Sequence, residues 1–346
     1  MQATSSPYNT GLPAGDSHTT TAVVLLNLGT PESPDPKSVQ KYLAEFLGDP
    51  EVISLPGGMK WATPLLARLI AFFRAKPSSA NYRMIWTEEG SPLLAITRRQ
   101  AALLEEQLGD GYCVEVAMRY GQPSLEGVFD RLLEKGIRRL LILPMYPHFS
   151  RPTTGTALAL AYRLLERKGL RWEAHLFSSW HDEPSYHQAQ ARHIRDYTAA
   201  HGLSAEDTHL LFSAHSLPVS YIQKGDPYQN EIQSSLEGIH ACLCWPKEKI
   251  SVAYQSRLGP VEWIGPSTEH TLRGLAEKGC RKVVVCPISF TADCIETSHE
   301  IGIEYRRLFE NELGGTLFLV PALNDSPCFI DCLKSMVLRI SGGTLS

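Results

Sequence analysis

The sequence predicts an α/β protein of two similar lobes, each a doubly wound parallel sheet with ligands expected at the carboxyl ends of its strands. Three observations carry that prediction. Short uncharged apolar runs alternate with amphipathic segments, a local pattern recurs at an offset of 143 residues, and 346 residues suit about two domains.

Residues 1–20 are rich in Ser, Thr, Gly and Pro, lack an apolar period and predict a disordered tail. The runs 22–28, 113–118, 140–145, 210–213, 251–254 and 283–287 are short, apolar and nearly free of charge. Such continuous runs suit strands of a parallel sheet covered on both faces. Between them, 93–108, 125–134, 157–167, 186–200, 229–243, 268–278 and 296–308 carry helical spacing. Gly136 to Pro144 and Gly279 to Pro287 both read glycine, any residue, two basic residues, four apolar residues, proline. The same offset pairs Thr154 with Thr297, Tyr162 with Tyr305 and Arg163 with Arg306. A second pairing sets Val24 to Pro31 beside Leu211 to Pro218. The expected division is an N-terminal lobe over 21–175 and a C-terminal lobe over 176–346, with the break near 171–183.

Composition narrows the function. The 33 Lys and Arg against 37 Asp and Glu leave a net charge of −4, which offers no electrostatic footprint for nucleic acid. No run reaches the roughly 18 apolar residues of a membrane span. The first basic residue is Lys37, so the expected location is cytoplasmic, without a secretory or mitochondrial signal. Eight cysteines then read as reduced thiols, and the spacings of Cys242 with Cys244 and of Cys328 with Cys332 fit neither zinc nor thioredoxin patterns.

In open α/β sheets chemistry gathers just after the strands. The run ending at Ser213 delivers Ala214-His215-Ser216-Leu217-Pro218 to such an edge, where an imidazole serves as base or metal ligand. After the corresponding run of the repeat come Asp293, Glu296, Glu300 and Glu304, which stack along one face of an α-helix with no Lys or Arg between Thr291 and Tyr305. Carboxylates so placed are either a solvated acidic face or a route for cations and protons. In Pro64 to Pro77, Leu65, Leu66, Leu69, Ile70, Phe72 and Phe73 form a broad apolar face beside Arg68, Arg74 and Lys76. Core burial is the default reading. The alternative is a greasy lip for a flat apolar ligand, its cations reaching carboxylates, which rests peripherally on a bilayer through residues 65–73.

Together these segments resemble the ferrochelatases. The matching stretches are Leu26 to Pro31 (LNLGTP), Glu89 to Leu93 (EGSPL), Met118-Arg119-Tyr120, Leu143 to Pro147 (LPMYP) with Thr153-Thr154-Gly155, Phe212 to Pro218 (FSAHSLP), Tyr254 to Pro260 (YQSRLGP) with Trp263, Asp293 to Thr297 (DCIET) and Pro321 to Asp325 (PALND). They follow family order over about residues 22–335, and the resemblance implies two Rossmann-like lobes with the porphyrin in the cleft between them.

The resemblance implies a bacterial-type lyase that inserts Fe2+ into protoporphyrin IX and releases two protons, the last step of haem biosynthesis. A coproporphyrin III ferrochelatase, a class II cobalt or nickel tetrapyrrole chelatase and a non-catalytic tetrapyrrole carrier are the alternatives. By resemblance, His215 and Glu296 are the catalytic pair, and Asp293, Glu300 and Glu304 extend the metal line. Arg119, Tyr120, Ser91, Leu28, Tyr146, Trp263, Arg74 and Lys76 are the implied substrate contacts. Whether His215 is the base or the iron ligand stays open on residues alone. Animal family members bind an iron-sulfur cluster through a C-terminal extension and one internal cysteine. Here the internal position reads Arg151, so no cofactor beyond substrate iron is expected.

Overall fold

A computed structural model describes residues 20–53, 61–169, 172–257 and 259–342. The expected tail of residues 1–20 lies outside them except for Thr20. The chain divides into two compact units. The first holds the residues up to Met145, then Arg151–Ser179 and Ile330 onward; the second holds Tyr146–Ser150 and Trp180–Phe329. The observed break at 179/180 falls inside the expected window but four residues past the expected boundary. Two short stretches also change sides, Tyr146–Ser150 joining the second unit and Ile330 onward the first.

In the first unit, β1 (Thr21–Gly29), β2 (Tyr112–Tyr120), β3 (Arg139–Pro144) and β4 (Glu173–Leu176) form a parallel sheet in the order β2-β1-β3-β4. Its helices are α1 (Pro36–Leu47), α2 (Thr63–Ile85), α3 (Pro92–Leu108), α4 (Leu125–Glu134) and α5 (Thr156–Arg167). The second unit contains α6 (Pro184–Ala200), β5 (His209–His215), α7 (Val219–Gln223), α8 (Tyr228–Cys242), β6 (Ile250–Gln255), α9 (Thr268–Glu277), β7 (Lys282–Pro287) and β8 (Thr316–Leu319). Its parallel sheet repeats the order, β6-β5-β7-β8. The last helix, α10 (Pro327–Ser341), closes the chain.

The repeat is structural: β3 and β7 cover equivalent residues at the 143-residue offset, and so do β4 and β8. Each sheet is buried on both faces. In the second, Leu210, Phe212 and Ala214 enter one core while Leu211 enters the other with Val283 and Val285, the alternation that the pleat imposes. In both units the first strand is central, with the second on one side and the third on the other. That reversal opens a switch point at the carboxyl ends, the ordinary place for a ligand in this architecture.

The Pro64–Pro77 segment departs from its default reading. Helix α2 buries Ala67, Ala71, Ala75 and Ser79, a stripe of small residues four apart, and Ser79 Oγ donates to Pro34 O at 2.6 Å. The large side chains face outward, with Leu65 and Phe73 each 69% exposed and Phe72 64% exposed. Small inward residues let the helix lie close to its neighbours, which leaves Leu65, Leu69, Phe72 and Phe73 no core to enter.

Burial holds the imidazoles of His148, His175 and His193 below their ordinary 6.5 and takes His209 down to about 4. These groups stay neutral in the fold but bind protons in the unfolded chain between 6.5 and about 4. Stability therefore falls as pH drops through that window. The urea midpoint should be lower at about pH 5 than at about pH 7, and His209→Gln should shrink the difference; a flat profile would overturn the assignment.

Candidate active site

The second unit gathers most of the expected chemistry at its sheet edge. His215 is the last residue of β5, half-buried, and its N–H donates to Ser289 Oγ at 2.9 Å just beyond β7. The buried Tyr228 hydroxyl lies against the same Ser289 and the His215 backbone, and burial pushes its pKa well above the ordinary phenol range. Phe290 meets the imidazole edge-on, with centroids 6.3 Å apart. The loop after His215 is tied down by Ile264 N to Leu217 O and Val219 N to Glu262 O, each 2.9 Å, which brings half-buried Trp263 beside Pro218. Tyr146 belongs to this unit too and is buried.

Directly opposite His215 in the strand register sits Gln255, the last residue of β6 and 1% exposed. Its Oε1 accepts from Ser213 Oγ at 2.6 Å, while its Nε2 donates to Glu296 O at 2.9 Å and to Glu300 Oε2 at 3.1 Å. One amide thus ties β5, β6 and the first turn of the acidic helix.

That helix corrects the expectation of a stacked carboxylate ladder. Ile295–Tyr305 is a π-helix, hydrogen-bonded i to i+5. Side chains five apart therefore meet. Tyr305 Oη donates to Glu300 Oε1 at 2.8 Å, and His299 Nδ1 lies 3.6 Å from Glu304 Oε1. Glu300 also accepts from Ser256 N at 2.8 Å and from Ser256 Oγ. Ser256 has φ 66, a left-handed conformation that costs roughly 1–2 kcal/mol for a residue with a Cβ and is held by those two bonds.

Asp293 precedes the helix and does not join the line. Its Oδ1 accepts from Thr297 Oγ1 at 2.8 Å and Ala322 N at 3.2 Å, and its Oδ2 from Asn324 Nδ2 at 2.7 Å. Asn324 Oδ1 in turn accepts from Asp293 N at 2.9 Å. The helix N-terminus is closed by Cys294, whose sulfur and Thr297 Oγ1 accept from each other's backbone N–H. The Cys294 thiol also reaches Glu296, and burial raises its pKa well above the usual range. The five expected metal residues, His215, Glu296, Asp293, Glu300 and Glu304, thus do not converge. Among the described residues, no group of three or more His, Cys, Asp or Glu side chains is arranged to hold a metal ion. Asp293 and Glu300 already spend their lone pairs on protein donors.

The first unit builds a separate cluster. Arg119 Nη2 pairs with Asp49 Oδ2, both side chains nearly buried, and Arg119 Nε donates to Thr156 Oγ1 at 3.2 Å. Tyr120 Oη donates to the same Asp49 oxygen at 3.0 Å, and the Arg119 guanidinium carbon lies 4.3 Å from the Tyr120 ring centroid. Tyr120 is 1% exposed, so its ring is interior. Burial also pushes its hydroxyl well above the ordinary phenol range. Gly29, at φ +128, permits this edge: a Cβ there would sit 2.0 Å from Tyr120 O. Leu28 is half-buried at the end of β1, and buried Ser91 accepts from Thr30 Oγ1 at 2.7 Å. Arg74 and Lys76 are exposed on α2.

Residue reasoning missed Asp49, Thr156, Gln255, Ser256, Ser289 and Asn324 as parts of these clusters. Gln255 and Ser256 were visible as polar residues ending an apolar run. Asp49 had no local signal, because its partner Arg119 lies 70 residues away.

The family model and the curated relatives agree on one family. A family model described as Ferrochelatase matches residues 20–340. A ferrochelatase of Thioalkalivibrio sulfidiphilus is 41% identical over 324 residues, covering 92% of this chain and 86% of the relative. One from Pseudoalteromonas atlantica is 38% identical over 328 residues, covering 93% and 89%. Among solved structures, the sirohydrochlorin chelatase SirB from Bacillus subtilis subspecies spizizenii in complex with cobalt superposes with a TM-score of 0.53 at 10% identity, covering 94% of this chain and 96% of that one. At that identity the likeness is one of fold.

If Asp293 anchors the entry to the π-helix, Asp293→Ala leaves Asn324 and Ala322 without their acceptor. It should cost about 1–3 kcal/mol of unfolding free energy, measured by chemical denaturation. A change near zero would remove the anchoring role.

Proposed function

The chain belongs to the ferrochelatase family, and we propose that it inserts Fe2+ into protoporphyrin IX, with His215 and Glu296 as the reacting groups. The observation that carries this reading is that Gln255, opposite the half-buried His215 at the β5 switch point, ties the strand that ends in His215 to the backbone of Glu296 on the first turn of the π-helix. Iron enters as substrate, and no resident cofactor is assigned.

The reaction replaces two pyrrole N–H protons by one dication, so the site must accept protons as the metal enters. An imidazole titrates near neutrality and can take a pyrrole proton without a large energetic mismatch. His215 is assigned that role. Its backbone is locked by Ser289 and its ring is flanked by Phe290, so little reorganisation is required at the moment of transfer. Glu296, half-buried on the first turn of the acidic helix, is assigned to the metal and to onward proton transfer. Glu304, exposed farther along and next to His299, continues the route toward water. Binding energy from the rest of the macrocycle would hold the ring in a bent geometry that exposes its nitrogen lone pairs.

We also propose a cytoplasmic enzyme that rests peripherally on a membrane. No helix among the described residues is long and apolar enough to cross one. Helix α2, however, presents Leu65, Leu69, Phe72 and Phe73 to solvent, continued by Trp61, which is 78% exposed. The helix carries Arg68, Arg74, Lys76 and Arg83 and no acidic residue. An apolar face flanked by cations is the signature of a helix lying in the headgroup layer, where each buried large side chain contributes roughly 1.5–3 kcal/mol. Such a surface would also meet a hydrophobic porphyrin, whose propionates Arg74 and Lys76 would pair with.

Anaerobic mixing with Fe2+ and protoporphyrin should quench free-porphyrin fluorescence with turnover. His215→Ala and Glu296→Gln should each slow this by at least about 100-fold without unfolding the chain. Full activity in either variant would remove that residue from the reaction, and faster turnover of coproporphyrin III would reassign the substrate. In flotation, the chain should rise with vesicles containing anionic lipid, and the double variant Phe72→Ser, Phe73→Ser should remain behind; equal flotation would dismiss α2 as the contact.

A further inference from the structure

We propose that Gln255 and Glu300 form a latch that sets the position of Glu296 relative to His215, and that Glu300 acts as a positioning residue rather than as a stage in the metal route. The inference rests on the His215 and Glu296 reading above.

Gln255 has one acceptor oxygen and two amide protons, and all are committed in a fixed sense. Oε1 faces the Ser213 hydroxyl, and Nε2 faces Glu296 O and Glu300 Oε2. Its main-chain oxygen accepts from Ser216 N at 2.8 Å, on the other side of His215 from Ser213. Ser213, two residues before His215, and Ser216, the residue after it, are therefore both bonded to Gln255, once by side chain and once by backbone. On its far side the amide holds the backbone of Glu296 itself. A rotation of the amide would set a donor against the Ser213 hydroxyl and an acceptor against two oxygens, so only one orientation satisfies every partner.

Glu300 completes the latch. Ser256 N, Ser256 Oγ, Gln255 Nε2 and Tyr305 Oη all donate to its two oxygens. Four protein donors meet the capacity of an ionised carboxylate and leave no lone pair turned toward a passing cation. The donors come from the end of β6, from the left-handed turn after it and from the next turn of the π-helix. Glu300 therefore clamps the helix onto the strand end that faces His215. Glu296 and Glu304 have no comparable set of donors to their carboxylates among the described residues, and they keep oxygens for chemistry.

Gln255→Leu, Glu300→Gln and the double variant separate the two roles, assayed with Zn2+ and protoporphyrin IX. A latch lowers kcat at least about 10-fold in each single variant while the KM for zinc and for porphyrin stay within about 2-fold, and the double variant is no slower than the slower single. A stage in the metal route instead raises the zinc KM of Glu300→Gln, and the two losses multiply; either result overturns the latch. Glu300→Gln keeps the side-chain shape and decides the question alone if Gln255→Leu does not fold. His215→Ala and Glu296→Gln run in the same assay: full activity there overturns both the site and the latch. Inactive His215 and Glu296 variants together with multiplied losses overturn the latch alone.

Discussion

A single buried amide organises the chemistry of the second unit. Gln255 ends β6 opposite His215, and its side chain joins the Ser213 hydroxyl, the Glu296 carbonyl and the Glu300 carboxylate. Burying an amide without hydrogen bonds costs a few kcal/mol, so the interior tolerates Gln255 only with its donors and acceptor matched. Matching it fixes where the π-helix begins. The Ser213 hydroxyl, the turn at Ser256 and the carboxylate of Glu300 follow from that requirement.

The π-helix answers an electrostatic problem posed by its own sequence. On an α-helix, Glu296, Glu300 and Glu304 would stack four apart as a repulsive column. With i to i+5 hydrogen bonding, the partners become Tyr305 for Glu300 and His299 for Glu304. Glu300 thus gains a donor and Glu304 a neighbouring imidazole in place of a second carboxylate. Irregular helices of this kind persist where surrounding structure over-determines them, and here the Asp293 anchor and the Cys294 cap do so at the entry.

The first unit solves a different problem, how to keep a guanidinium nearly buried. Arg119 is neutralised by Asp49, shares that carboxylate with Tyr120 and lies over the Tyr120 ring. A nearly buried ion pair is tolerable when its remaining lone pairs and protons are met, as Thr156 helps to do. Helix α2 reverses the usual arrangement of a surface helix, with alanines inside and phenylalanines outside. Its inward stripe supplies close packing, and its large apolar side chains stay exposed.

The strands, most helices and the doubling of the sheet could be read from sequence, since each depends on local period and on runs of apolar residues that survive in any context. His215 and Glu296 were legible for the same reason, as polar residues ending or following such runs. β4 and β8 were missed because four residues carry too short a period to register. The division of labour among the carboxylates was not local at all. Asp293 is spent on Asn324, 31 residues away, and Glu300 on Ser256, 44 residues away. By itself, the sequence determined the family, the parallel sheets, an imidazole at one strand end and an acidic segment after the corresponding strand. Tertiary structure alone decided which acids are structural, because a carboxylate's role depends on the donors that folding brings to it, and those come from distant strands and turns.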